Sequence, residues 1–344
     1  MDNEVELSEN ERSQNLHCFM DIIKESVIYG SGKGESMKIN TVALIGLGAI
    51  GAYLGGPIGK YLGDDFRVIA SGERAERLKS EGMIINGEQQ FFNVVDPEEQ
   101  TGPADLAIII TKMPGIEKAL EEMKNQIGSD TVIMTPLNGV ESEEAAAKVY
   151  GEERILHSLV RVSSVKDGNT VSYFPDTAFV EFGEKRSDTP TERMLAVGEL
   201  FDGAGIKYVM QKDMVKAIWL KYVCNVSENP VAAVFDIPFG AWGANEHANF
   251  LRLKTADEVI KIARAMGIEI DEKYPVEHLE RLKSQPYNNT CSMVQDIENG
   301  KHTEIDMFAG TIIKYGKKLG IPTPYNEFLY HAVHLIEDRN DGLF

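Results

Sequence analysis

Thr41 to Ile45 is a short apolar run rich in strand formers, and it passes directly into GLGAIG, which sets Gly46, Gly48 and Gly51 in GxGxxG spacing. Strand, glycine turn and helix in that order point to an α/β fold with a Rossmann-type dinucleotide-binding domain at its N-terminal end. The first glycine permits the tight turn, the second lets backbone approach a pyrophosphate, and the third allows helix and strand to pack closely. Leu47, Ala49 and Ile50 complete the loop. Its free N–H groups at the helix N-terminus would face the anion. A plain glycine turn is the alternative, but a second strand expected at Arg67–Ala70 supports the dinucleotide reading. Pro57 falls inside the presumed helix and is expected to kink or shorten it.

Later strands are expected to carry ligand-binding residues at their C-terminal ends, where open parallel sheets bind. Leu106–Ile110 leads into Thr111 and Lys112, and Val132–Met134 leads into Pro136, Leu137, Asn138 and Gly139. A solvated lysine and an NG turn are the plain alternatives; the shared sheet edge favours a cofactor role. The second strand ends in Ala70 and Ser71 without a carboxylate, and Arg74 follows. That pattern accommodates a 2′-phosphate better than a bare hydroxyl, so NADPH is preferred to NADH. Glu73 counts against this, and Arg74 also reads as a solvated helix residue.

The chain has 344 residues, 43% hydrophobic and 26% charged, which leaves room for two soluble domains. A formal net charge of -19 opposes nucleic acid or anionic membrane as a partner. No apolar run reaches the roughly 20 residues that a membrane helix needs. Cys18, Cys224 and Cys291 form no CxxC pair, and seven scattered histidines show no ligand spacing. We therefore expect no metal, no structural disulfide and a cytoplasmic location. Residues 1–36 are acidic and end in GSGKGES; they read as a flexible extension, either translated upstream sequence or a dispensable tail, with Met37 the natural start. A short helix at Leu16–Ile28 is one option within it. Residues 37–210 are assigned to the dinucleotide domain. Beyond them apolar spacings of three and four at Asp257–Met266 and Asp306–Leu319 predict a mostly helical domain over 211–344, with the active site in the cleft between the two.

Within AIWLKYVCNVSENPVAAV, Lys221, Asn225 and Asn229 recur every four residues among apolar neighbours. A helix would align them in a stripe about 12 Å long. Burying an ammonium and two carboxamides is costly without partners, so the stripe suits a cleft holding a small oxygen-rich substrate. Apolar surroundings would lower the lysine pKa toward a transferable proton. The alternative, a solvated helix face, is opposed by Trp219, Leu220, Tyr222 and Val223.

From Met37 nearly to its end the chain resembles the ketopantoate reductase (2-dehydropantoate 2-reductase) family, on five ordered blocks. They are GLGAIG, TKMPGIEKAL around Lys112, PLNGVE around Asn138, IWLKYVCNVSENP around Lys221, and SMVQDIENGKHTEID from Ser292 to Asp306. The resemblance implies NADPH-dependent reduction of a 2-keto acid, with Lys221 as general acid and Glu304 touching Lys221 and the cofactor. It implies that Asn225, Asn229 and Ser292 hold substrate, that Asn138 touches substrate and cofactor, and that Lys112 and Ser164 lie on the cofactor side. Locally, TEID reads as a helix start, with Thr303 as cap and Glu304 in the first turn. Helix-end stabilisation is the plain alternative for Glu304.

Departures from the family pattern at Ser71, Ala232, Phe239 and Ala309 suggest a pocket reshaped toward a bulkier or less polar acid. Glu228, seven residues beyond Lys221, returns to nearly the same face, where it would repel a substrate carboxylate unless a base neutralises it. Ketopantoate reduction in pantothenate and coenzyme A biosynthesis is the first reading. Reduction of another 2-keto acid is the second, and a non-catalytic dinucleotide-binding protein the third. The oligomeric state is left open, with a homodimer among the options.

Overall fold

Val42–Ile45 (β1) is four consecutive buried apolar residues, a pattern that only a strand covered on both faces can satisfy. In the computed structural model, which describes residues 37–283 and 286–344, β1 lies at the centre of a parallel sheet. Its neighbours are Phe66–Ile69 (β2) and Leu106–Ile109 (β6), flanked by Asn93–Val95 (β5) and Val132–Met134 (β7). The order β5-β2-β1-β6-β7 reverses direction at β1, placing the glycine turn at the sheet's switch point. The extension before Met37, with its candidate helix, lies outside the described residues.

The first helix, Ala49–Leu62 (α1), runs unbroken through Pro57, so the expected shortening does not occur. The reason is packing. Added Cβ atoms at Gly55, Gly56 and Gly59 would sit 3.0 to 3.2 Å from Leu47, Phe66 or Ile85, so bare backbone presses closely on the sheet side. Tertiary contact of this kind outweighs a single poor helix former. Gly72–Glu81 (α2), Ile116–Glu122 (α3), Ser142–Tyr150 (α4) and Glu192–Ala204 (α5) complete the helices of this part.

Two smaller sheets, unread in the sequence, extend the same half. One joins Met83–Ile85 (β3), Glu88–Gln90 (β4), Ser164–Asp167 (β9) and Thr170–Tyr173 (β10); the other joins His157–Arg161 (β8), Phe179–Gly183 (β11) and Tyr208–Met210 (β12). Glu181 on β11 is buried and held by Arg161 at 2.6 Å and by Gln211 Nε2 at 2.6 Å.

The chain divides at Ala217 and Ile218 into two compact units, early in the long helix Met214–Phe235 (α6). The second unit is helical: Ala241–Ala244 (α7), Glu246–Ala265 (α8), Tyr274–Lys283 (α9), Ser292–Glu298 (α10), Thr311–Leu319 (α11) and Pro324–Asn340 (α12). Glu258 of α8 caps α12, accepting from the Tyr325 and Asn326 amides and from Asn326 Nδ2 at 2.7 to 3.0 Å. A carboxylate there meets the positive end of the helix dipole. Among the described residues no helix is long and apolar enough to cross a membrane.

Candidate functional site

At the glycine turn, each glycine has its own reason. Gly46 adopts φ +100°, and a Cβ on it would lie 1.7 Å from the Ile110 carbonyl oxygen. A Cβ on Gly51 would meet the Gly46 oxygen at 2.3 Å, which is the helix-to-turn approach expected of the third glycine. Gly48 is different. Its nearest neighbour would be 3.9 Å away, so the missing side chain leaves room on the outer side of the loop. Gly48 is also the N-cap of α1 and has no side-chain capping bond. The first-turn amides of any helix lack intrahelical acceptors, so Ala49, Ile50 and Gly51 are placed to receive an anion. Leu47 is buried and anchors the loop.

Around this turn, Ser71 follows β2 as the N-cap of α2, and Arg74 lies exposed one turn on. Lys112 follows β6 and is exposed, while Asn138 follows β7, half-buried, ahead of Gly139 at φ +94°. All four stand just beyond C-terminal ends of parallel strands. Ser164 stands elsewhere: it opens β9 opposite Tyr173, on a different sheet. The glycine turn with Ser71, Arg74, Lys112 and Asn138 beyond the strand ends fits a bound dinucleotide; Ser164 is not on that sheet edge.

On α6 the polar stripe is partly sheltered. Asn229 is buried and Lys221 and Asn225 are half-buried, so this is not a solvated face. Its flanks are core: Trp219, Tyr222, Val223 and Val226 are buried. Tyr222, next to Lys221, puts its hydroxyl 2.8 and 2.7 Å from the carbonyl oxygens of Met307 and Phe308. Rings of Trp219 and Tyr315 and of Tyr222 and Phe308 pack at 6.5 and 6.4 Å. These contacts fasten the Lys221 turn to the segment that follows Glu304.

That segment is not the α-helix start expected from TEID. Asp306–Gly310 forms a π-helical turn leading into α11, and half-buried Glu304 stands just before it. Thr303 Oγ1 accepts from the Ile305 amide at 3.2 Å, while its amide and hydroxyl donate to Glu337 Oε1 at 2.8 Å each. Thr303 thus ties the approach to Glu304 onto α12 rather than capping a regular helix. Single π turns concentrate at functional sites because they re-aim side chains within a helix. Ser292 opens α10 and is exposed.

Glu228 corrects a second expectation. Rather than adding a charge to the substrate stripe, it is 6% exposed, with Oε1 3.3 Å from His278 Nε2 and 3.8 Å from Arg252 Nη1. Burial works against protonation of His278, but the Cys224 sulfur and the Glu228 carboxylate outweigh it and push its pKa up to about 9. Burial, with Glu228 adding to it, drives the Cys291 thiol up to about 11. Only Cys224 and Glu228 share a helix; Arg252 and His278 come from two others, so sequence spacing could not assemble the cluster. Of the other departures, Ala309 and Ala232 are core residues; Phe239 is half-buried and Ser71 exposed.

Sequence models described as ketopantoate reductase PanE/ApbA and its C-terminal part match residues 42–187 and 213–337. An uncharacterized oxidoreductase of Bacillus subtilis, YkpB, is 28% identical over 86% of this chain and 98% of its own. A 2-dehydropantoate 2-reductase of Pyrococcus horikoshii is 29% identical over 88% of this chain and 99% of its own. Among solved structures, D-mandelate dehydrogenase with NADH and anilino(oxo)acetate is 25% identical with a TM-score of 0.79, over 88% of this chain and 99% of that one.

Proposed function

Because the chain belongs to the ketopantoate reductase family, we propose that it reduces 2-dehydropantoate to pantoate with NADPH, a step toward pantothenate and coenzyme A. Reduction of a 2-keto acid is the activity its relatives support, and a nicotinamide dinucleotide is the cofactor type. The observation that carries the reading is the half-sheltered row of Lys221, Asn225 and Asn229, fastened through Tyr222 to the π turn that follows Glu304.

When bound, NADPH would supply a hydride for the carbonyl carbon. Lys221 gives a proton to the carbonyl oxygen as charge develops there, so that oxygen becomes a hydroxyl rather than an alkoxide. Asn225, Asn229 and Ser292 hold the substrate's oxygens, and Asn138 orients substrate and cofactor together. Glu304 steadies the ammonium. Gly46 to Gly51 receive the pyrophosphate, with Ser71, Arg74 and Lys112 along the nucleotide. Ser164 takes its cofactor-side place from the family pattern alone.

A second reading is an aromatic 2-keto acid, favoured by the likeness to D-mandelate dehydrogenase and by Phe239 at a position usually polar in the family. Initial rates with NADPH and NADH over a panel of 2-keto acids separate the two. The proposal expects fastest turnover with 2-dehydropantoate. Preference for benzoylformate would establish the second reading, and binding without turnover of any keto acid would overturn both.

Cofactor choice has its own test. Arg74→Ala should weaken NADPH binding by about tenfold to a hundredfold, the loss of one charge-assisted contact to a phosphate, and leave NADH nearly unchanged. Titration calorimetry with each dinucleotide measures this. Equal losses for both would remove Arg74 from the 2′-phosphate site.

A further inference from the structure

We propose that Cys224, Glu228 and His278 form a site for one divalent metal ion of the zinc class, which clips α6 to α9. The three side chains offer sulfur, oxygen and nitrogen donors that all lie within 4.8 Å of one another. Cys224 and Glu228 stand one turn apart on α6, so both reach the same side, and α9 supplies His278 across from them. Tetrahedral zinc sets donor atoms about 3.3 to 3.8 Å apart, so small rotamer adjustments close the set.

A second observation points into the same space. Glu228 Oε1 is buried and has no hydrogen-bond partner, although His278 and Arg252 are near. Its charge is met by Arg252 and His278 but its lone pairs are not, and a metal ion shared with the thiolate and the neutral imidazole would take them up. Arg252 Nη1 faces the oxygen at 3.8 Å, beyond hydrogen-bond reach. Its Nε and Nη2 are committed to Asn249 Oδ1 at 3.1 and 2.9 Å, and Nη2 also to the Pro275 carbonyl at 2.7 Å. The guanidinium instead stands behind the carboxylate and orients it, as outer partners do in metal sites.

The donor set also selects the ion. Thiolate and imidazole suit zinc or cobalt and disfavour magnesium and calcium, which take oxygen ligands. The fourth position falls to water or to the Tyr274 hydroxyl, 3.6 Å from Cys224 Sγ. As the metal binds, the thiol proton and the proton that His278 carries beside Glu228 both leave to solvent, because only thiolate and neutral imidazole coordinate. With all three ligands buried on helices, the ion holds α6 in place and takes no part in hydride transfer, so this proposal stands apart from the proposed reaction.

The test uses the full chain, stripped with chelator, titrated with Co²⁺ and then with Zn²⁺, followed by absorption and calorimetry. We expect one Co²⁺ per chain with a thiolate-to-cobalt charge-transfer band, displaced by Zn²⁺. Cys224→Ser should abolish the band, and Glu228→Gln should weaken binding by about tenfold or more. Zn²⁺ should raise the melting temperature of the parent chain more than that of Glu228→Gln, which keeps the shape of the site if Cys224→Ser does not fold. Absence of the band in the folded parent would overturn the site. So would equal Co²⁺ affinity in parent and variants, which would place the metal on surface groups.

Discussion

Lys221→Ala is expected to lower kcat by about a hundredfold or more, about 2.7 kcal/mol of transition-state stabilisation, while dinucleotide affinity stays near normal. The side chain is half-buried on a helix whose neighbours Trp219, Tyr222, Val223 and Val226 supply the packing. Removing the amine therefore leaves α6 held by the same contacts. The glycine turn belongs to the other unit, where its own strand and helix set its geometry. Loss of a proton donor used only in the transition state lowers kcat and kcat/KM together. Steady-state rates together with dinucleotide titration check this. Unchanged turnover would take Lys221 out of the mechanism, and collapse of dinucleotide binding would mean the variant had lost its fold.

A second large effect is expected at Gly46. A methyl group there would lie 1.7 Å from the Ile110 oxygen and 2.4 Å from its carbonyl carbon, on a backbone at φ +100°. Neither partner can yield cheaply, because the Ile110 amide donates to the Ile45 carbonyl at 2.8 Å and ties the end of β6 to β1. Strain of about 1 to 3 kcal/mol and overpacking of similar size would add. That sum is a large part of the about 5 to 15 kcal/mol that holds a typical domain together. Gly46→Ala should therefore unfold at much lower denaturant or accumulate as insoluble chain.

Gly48→Ala is the matched control. Its nearest contact would be 3.9 Å, and its φ of -95° is open to any residue. It should melt near the parent while losing dinucleotide affinity, since the methyl stands where the loop is otherwise bare. Equal stability of Gly46→Ala and the parent would show that the β1–β6 contact is softer than the geometry implies.

The glycine spacing and the four-residue recurrence on α6 were readable because each is local. A strand followed by GxGxxG leaves one way to turn, and i, i+4, i+8 share a helix face whatever surrounds them. The expected strands at β1, β2, β6 and β7 lie within a residue of where the structure places them. The two smaller sheets were not legible. Their strands are short, and their pairings reach across the chain, as between Ile84 and Thr170. The π turn at Asp306–Gly310 was hidden for another reason. Its apolar spacing is compatible with an α-helix, and only the hydrogen bonds distinguish the two.

From local pattern alone came the Rossmann-type half, the helical half, and the polar row on α6, since each rests on periodicities of a few residues. Packing decided the rest. Glu228 looked like part of that row until Arg252 and His278, from α8 and α9, drew it into the interior. A buried carboxylate goes where opposite charge can reach it, and which charges those are depends on how distant helices come together.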